Sequence, residues 1–234
     1  MTANETYRHE DKYWLTPMQA AALRAQLSRL LRNDTVALAN DYLVRSVYVD
    51  TLDNQDYHDK LAGIEKRQKV RLRTYDPASK KAKLEVKYKF GPQQFKCGLW
   101  LTPAQTQDFL AARFSSLRDD LLKNSYLQEI YPRLITKCYR PKVWCEYHRQ
   151  AFVHNQENLR LTFDHDIRTS ETNFDLFASH TPLNAVTWES VILEIKYNQQ
   201  LPTFLPPILA HYQLEPAAIS KYCHSRLNYY EILD

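Results

Sequence analysis

The sequence predicts an α+β fold: an antiparallel eight-stranded β-tunnel, closed as a barrel and flanked by helices, in one domain spanning residues 1–234. Two observations predict it. Charged and apolar residues alternate strictly through Lys69-Val-Arg-Leu-Arg-Thr-Tyr75 and Lys83-Leu-Glu-Val-Lys-Tyr-Lys-Phe90, so an extended strand separates the two kinds onto opposite faces. Segments of this kind recur about eight times along the chain, and roughly eight strands close a small barrel whose interior holds side chains or one ligand. Closure also removes the exposed edges that long strands otherwise present.

The first strand of the chain is expected over Thr6 to Trp14, with Arg8, Glu10 and Lys12 alternating against His9, Asp11 and Tyr13. Thr16-Pro17-Met18-Gln19 stops it, because a threonine followed three residues later by glutamine is a capping box and proline suits the first helical turn. The helix that follows carries an apolar stripe of Met18, Ala22, Leu23, Leu27, Leu30 and Leu31. Leu43 to Asp50 reads as the second strand, and Asp53 to Gly63 as a polar connection with one helical turn. The two alternating strands come next, followed by a fifth at Gln94 to Leu99 that carries Lys96. Thr102-Pro103-Ala104-Gln105 repeats the capping box and opens a helix to about Arg113. Ser115 to Leu134 reads as helical with weak patterning. Strands return at Val143 to Val153, Asn158 to Asp166 and Val191 to Tyr197; Thr169 to Trp188 reads as a loop, and a last helix begins near Pro216.

Composition bounds the function. With 44% hydrophobic and 25% charged residues the chain is an ordinary folded protein. A net charge of +4 suits an anionic partner. Cys97, Cys138, Cys145 and Cys223 show no C-x-x-C spacing, so a zinc site or disulfide scaffold is not expected, and free thiols point to the cytoplasm. No apolar run approaches the ~20 residues that cross a bilayer. Only Gly63, Gly91 and Gly98 occur, which excludes the glycine-rich turns of P-loop and dinucleotide folds. Phosphate, if bound, must be held by side chains.

In a closed barrel one face of every strand points inward. Lys12, Arg71, Arg73, Lys87, Lys96 and Arg160 would then line a lumen, with Glu10, Glu85 and Glu194 among them. Such a lumen needs its charges paired by carboxylates, ligand or water. A polyphosphate meets that need, since guanidinium forks and ammonium groups fit phosphate oxygens, and Glu194 would hold Mg2+ or Mn2+ bridging those oxygens. A solvated outer sheet face is the plainer reading of the same alternation.

The succession Arg8-x-Glu10-x-Lys12-Tyr13, Ser46-Val-Tyr-Val-Asp50, Arg71-Leu-Arg73-x-Tyr75, Leu84-Glu85-x-Lys87, Lys96, Tyr147-x-Arg149, Leu159-Arg160-x-Thr162-x-Asp164, Leu193-Glu194-x-Lys196 and Ser220-Lys221 resembles the VTC domain. This is the polyphosphate polymerase module of the triphosphate tunnel (CYTH-like) superfamily. The resemblance implies transfer of the terminal phosphate of ATP to a growing polyphosphate chain inside a basic tunnel. It implies that Arg71, Arg73, Lys87, Arg149 and Arg160 hold the phosphates as catalytic residues. Glu10, Lys12, Glu85, Lys96, Lys196, Ser220 and Lys221 would bind substrate, and Glu194 the metal. Hydrolytic members carry a glutamate where this chain has Arg8, which tilts the expectation from triphosphatase towards polymerase. A tunnel triphosphatase, a polyphosphate-binding module without turnover and an RNA-binding protein are the alternatives, although no nucleic-acid motif is present. A membrane-protein partner would be needed to move the product, since the chain shows no spanning segment of its own.

Overall fold

The alternation is carried into one antiparallel sheet in the computed structural model, which describes residues 9–34, 41–91, 93–182 and 185–230. The first half of the chain forms β1 (His9–Leu15), α1 (Pro17–Leu27), β2 (Arg32–Asn33), β3 (Tyr42–Asp50), α2 (Gln55–Leu61), β4 (Lys66–Thr74), β5 (Ala82–Phe90) and β6 (Gln93–Leu101). Helices α3 (Pro103–Leu110), α4 (Arg118–Lys123) and α5 (Ile130–Thr136) follow. The second half forms β7 (Arg140–His154), β8 (Leu159–Ser170), β9 (Val186–Trp188), β10 (Val191–Tyr197), α6 (Leu205–His211) and α7 (Lys221–Tyr230). Eight strands lie in the order β1-β10-β8-β7-β3-β4-β5-β6, with β2 added to β7 and β9 to β8.

The sheet is not closed into the expected barrel. Among the described residues β1 and β6 end the strand path and share no backbone pairing. The segment before α7 explains this: the Ala217 amide donates to the Lys12 carbonyl at 2.8 Å, and Lys12 Nζ donates to the Ile219 carbonyl at 3.2 Å. A carbonyl of β1 that a closing strand would need is thereby already satisfied. The ends still curl together, because Lys87 of β5 reaches Glu10 of β1 at 3.3 Å.

Curling divides the sheet into an aliphatic outer face and a charged inner one. Outside, Val47, Val70, Leu72, Leu84 and Val86 pack with Phe109, Leu117, Leu121, Ile130 and Leu134 of the α3–α5 region. On the opposite flank Leu161, Phe163, Leu193 and Ile195 pack with Leu23 and Leu27 of α1 and Leu205 and Leu209 of α6. Each such side chain contributes about 1.5–3 kcal/mol by leaving water. A third cluster plugs one end of the interior, where Val44, Val143 and Ile192 meet Ile219, Tyr222 and Cys223 around the start of α7.

Several expectations change in detail. Both capping boxes form, at Thr16 with Gln19 and at Thr102 with Gln105. The buried stripe of α1, however, is Ala20, Leu23 and Leu27; Met18 is 83% exposed and Leu30 50% exposed. Thr6 to Arg8 lie outside the described residues. Part of the expected loop 169–188 is strand, because β8 continues to Ser170 and β9 folds back onto it. The stretch 115–134 is broken into short helices, the last helix starts at Lys221 rather than near Pro216, and α6 was not expected.

Candidate functional site

Strand pairing decides which charges meet. The inward residues of β4 and β5 are paired Arg71 with Glu85, Lys69 with Lys87 and Arg73 with Lys83, and β6 sets Lys96 opposite Lys87 and Gly98 opposite Glu85. Like charges thus stand directly across from one another, an arrangement that destabilises a sheet unless anions intervene. Glu85 intervenes on one side. It accepts from Arg71 at 2.7 and 2.8 Å, lies 3.8 Å from Arg73, and is paired with Lys96. Burial alone would raise its pKa, yet Arg71, Arg73 and Lys96 hold the carboxyl far below the usual range. Arg73 also donates to Ser46 Oγ at 3.2 Å and to the Tyr147 hydroxyl at 3.1 Å.

The opposite wall repeats the pattern. Arg149 grips Asp164 with two bonds of 2.6 and 2.7 Å, and Lys221 reaches in from α7 to the same carboxylate. Both cations lie over the Tyr147 ring, at 5.3 and 4.7 Å. Burial opposes ionisation of Asp164, but the two cations bring its pKa down to about 2. On β1 and β10, Lys12 lies 2.9 Å from Glu10 and 3.7 Å from Glu194, while Lys196 pairs with Glu194 and lies 3.7 Å from Glu10. Despite burial, Glu194 is held well below its ordinary value by Lys196, Lys12, Arg149 and Lys221.

All the residues singled out from the sequence therefore face the interior or its rim, and Tyr147 joins the two walls through Arg73 and Arg149. Arg160 lies at the rim, donating to Asp34 at 2.9 Å and to the Tyr42 hydroxyl at 3.3 Å. Ser220 is buried at the start of α7, where its hydroxyl accepts from the Cys223 amide and from Lys69. Asp164, Tyr147 and Lys69 stand in the motifs read from the sequence but are given no role in the site there. Asp164 shares the face of Arg160 by period-two alternation, which was the available signal. By contrast His165 turns outward to Asp41, and Asp166 is exposed beside Arg168 at a left-handed residue.

Glu10 and Glu194 offer ionised oxygens to a cation. Beside them the Thr162 hydroxyl, paired in register with Glu194, is buried and among the described residues has no hydrogen-bond partner. This donor set fits Mg2+ or Mn2+, which bind through one or two carboxylates and take their remaining ligands from phosphate and water. Among the described residues no three His, Cys, Asp or Glu side chains gather into a metal cage, so substrate oxygens would complete the shell.

An antiparallel sheet curled around facing cations and carboxylates, with helices on its outside, is the α+β fold expected of the CYTH-like class, without its closure. The VTC domain model matches residues 7–230, and the chain belongs to the VTC domain family. Among solved structures it is similar to a candidate adenylyl cyclase from Hippeastrum described as having a dominant triphosphatase activity. That likeness has a TM-score of 0.56 at 18% identity, over 94% of this chain and 95% of the other. A candidate adenylate cyclase from Bacillus halodurans gives 0.52 at 12% identity, over 94% and 96%. The PH1819 protein from Pyrococcus horikoshii OT3 gives 0.51 at 11% identity, over 96% and 99%. These identities speak to the fold. A search of curated proteins finds no match.

Proposed function

We propose that the chain is a polyphosphate polymerase that transfers the terminal phosphoryl group of ATP to inorganic polyphosphate inside the curled sheet. The observation that carries this reading is the inner face. Lys12, Lys69, Arg71, Arg73, Lys87, Lys96, Arg149, Lys196 and Lys221, with Arg160 at the rim, look onto Glu10, Glu85, Asp164 and Glu194, with Asp34 beside Arg160, an excess of positive charge that a chain of phosphates neutralises. Membership of the VTC domain family supports the same reading.

Phosphoryl transfer asks a protein mainly for positioning and charge neutralisation. The terminal oxygen of the acceptor chain bonds to the γ-phosphorus of ATP as the bond from that phosphorus to the β–γ bridging oxygen breaks, and ADP departs. The attacking oxygen is already ionised, so no side chain has to remove a proton. Arg71, Arg73, Arg149 and Arg160 present guanidinium forks to phosphate oxygens, while Lys87, Lys96, Lys196 and Lys221 add movable point charges. Glu85 and Asp164 hold Arg71 and Arg149 in place, so little side-chain freedom is lost on binding. A divalent cation on Glu194, as Mg2+ or Mn2+, would supply further neutralisation of the phosphate oxygens.

Hydrolysis of triphosphate is the second reading, favoured by the description of the Hippeastrum protein, which shares this fold. Labelled ATP incubated with the purified chain and Mn2+ separates the two. Growth of a labelled polymer supports the polymerase, and release of free phosphate without polymer supports the hydrolase. Glu194→Gln should abolish the metal-dependent product in either case and leave the circular dichroism spectrum unchanged; full activity in that variant would place the cation elsewhere.

A further inference from the structure

Most inward-facing cations that flank the seam have carboxylate partners. Arg71 and Lys96 have Glu85, Lys87 has Glu10, Lys12 and Lys196 have Glu194, and Arg149 and Lys221 have Asp164. Lys69, the next inward residue of β4, has no carboxylate within ion-pair distance among the described residues. Its ammonium donates to the neutral Ser220 hydroxyl at 2.9 Å and lies 5.9 Å from the centres of the Tyr48 and Tyr222 rings.

Lys69 looks into a cavity of about 250 Å3 at the open seam between β1 and the β4–β5 hairpin. Its own strand contributes Arg67 to that cavity and holds Arg71 beside it. Strand β5 contributes Lys87 and Lys89, α2 contributes Lys60, and β1 contributes Lys12 together with Glu10. Cys223 of α7 interacts electrostatically with Lys69 and favours its charged form. One carboxylate among so many cations leaves the cavity strongly positive. Burial first, then Lys12, Lys87 and Arg71, push the Lys69 ammonium down to about 7. An amine that sheds its proton relieves this crowding while no anion is present; an arriving phosphate reverses the balance.

We propose that Lys69 is an additional phosphate-binding residue, only partly protonated at neutral pH while the seam cavity is empty and fully protonated when a phosphate group of a linear oligophosphate enters it. Binding then draws a proton from solvent onto the amine, converting –NH2 to –NH3+. This rests on the reading that the interior takes phosphates, and deepens it by assigning the seam cavity a ligand class and a proton count.

Calorimetric titration of tripolyphosphate into the full chain, with metal chelated and in two buffers of different ionisation heat, reads the number of protons taken up. Lys69→Arg keeps the charge permanently on, and Lys69→Met removes it at similar length; either variant suffices if the other fails to fold. Ionisation of the phosphate itself is common to all three proteins, so the difference between them isolates Lys69. Wild type should take up about half a proton more than Lys69→Arg at pH 7 and about 0.9 more at pH 8. Lys69→Met should likewise lack the extra uptake and bind more weakly. Equal uptake in proteins that all bind tripolyphosphate overturns the assignment of Lys69 and leaves the phosphate-binding interior standing. A wild-type chain that does not bind tripolyphosphate overturns both.

Discussion

A single buried acid shows how a residue's surroundings set the conditions under which the fold is stable. Asp56, at the first turn of α2, accepts from the Tyr139 hydroxyl at 2.9 Å and sits beside Asp50, whose carboxylate receives the Asp56 and Tyr57 amides. Burial, and then repulsion by Asp50, raise its pKa from 3.8 to about 7, although Tyr139 works the other way. The folded form therefore holds a proton that the unfolded chain gives up. Stability from this group is fully present below about pH 4 and is lost as the pH rises through 7. Asp56→Asn, which is neutral throughout, should gain about 1–2 kcal/mol over wild type at pH 8 and little at pH 4, seen as a melting temperature about 3–6 °C higher at pH 8 only. A different logic governs Arg71. Its loss leaves Glu85 with Lys96 and Arg73 as partners, so Arg71→Ala should change ligand-free melting little. It should weaken tripolyphosphate binding by about 1.5–3 kcal/mol, the worth of a charge-assisted hydrogen bond. A fall in melting temperature with binding intact would assign Arg71 to the scaffold.

At the scale of elements, β6 depends on one missing side chain. A Cβ on Gly98 would lie 2.7 Å from the Leu84 carbonyl oxygen, a backbone atom that cannot swing aside. Gly98 stands opposite Glu85, two residues from Lys96, so any shift of the strand also disturbs that ion pair. Gly98→Ala should cost about 1–3 kcal/mol of stability, the usual penalty for overpacking, and weaken tripolyphosphate binding as well. Thermal melting and titration together check both halves. Elements of this kind also show what the sequence could reveal. Strict alternation disclosed β4 and β5 and their faces, and Thr-x-x-Gln marked the starts of α1 and α3, because both signals are local. β9 and α6 escaped: a three-residue strand has almost no period to read, and α6 opens with Leu205-Pro206-Pro207, which reads as a break rather than as a first turn. The open seam was likewise hidden, since it rests on contacts between Lys12 and residues 217–219. Pairings such as Arg149 with Asp164 follow from register, which alternation alone leaves free.

Across the whole molecule the cations of the interior depend on carboxylates whose acidity the fold itself creates. Glu10 and Asp164 titrate at about 2 in the folded protein, although burial opposes their ionisation, because Lys196, Lys12 and Lys87 surround the first, and Arg149 and Lys221 the second. Their folded values lie below the ordinary carboxylate range, so the stability they provide is present above about pH 4 and lost as the pH falls towards 2. Once they are neutral, Arg149 and Lys221 lose the carboxylate they share, and Lys12 and Lys196 are left with Glu194 alone. Acid unfolding should therefore be steep between about pH 4 and pH 2. A bound polyphosphate supplies anions that stay ionised in this range and face the same cations. Tripolyphosphate at 100 times its dissociation constant should add about 2.7 kcal/mol at neutral pH and move the acid midpoint downward. Added salt should erode that protection, as the screening length contracts to roughly 3 Å at 1 M. Melting curves recorded from pH 7 to pH 2, with and without tripolyphosphate, check this directly: an acid midpoint that ignores the ligand would mean that the phosphates neutralise charges other than those of the curled sheet.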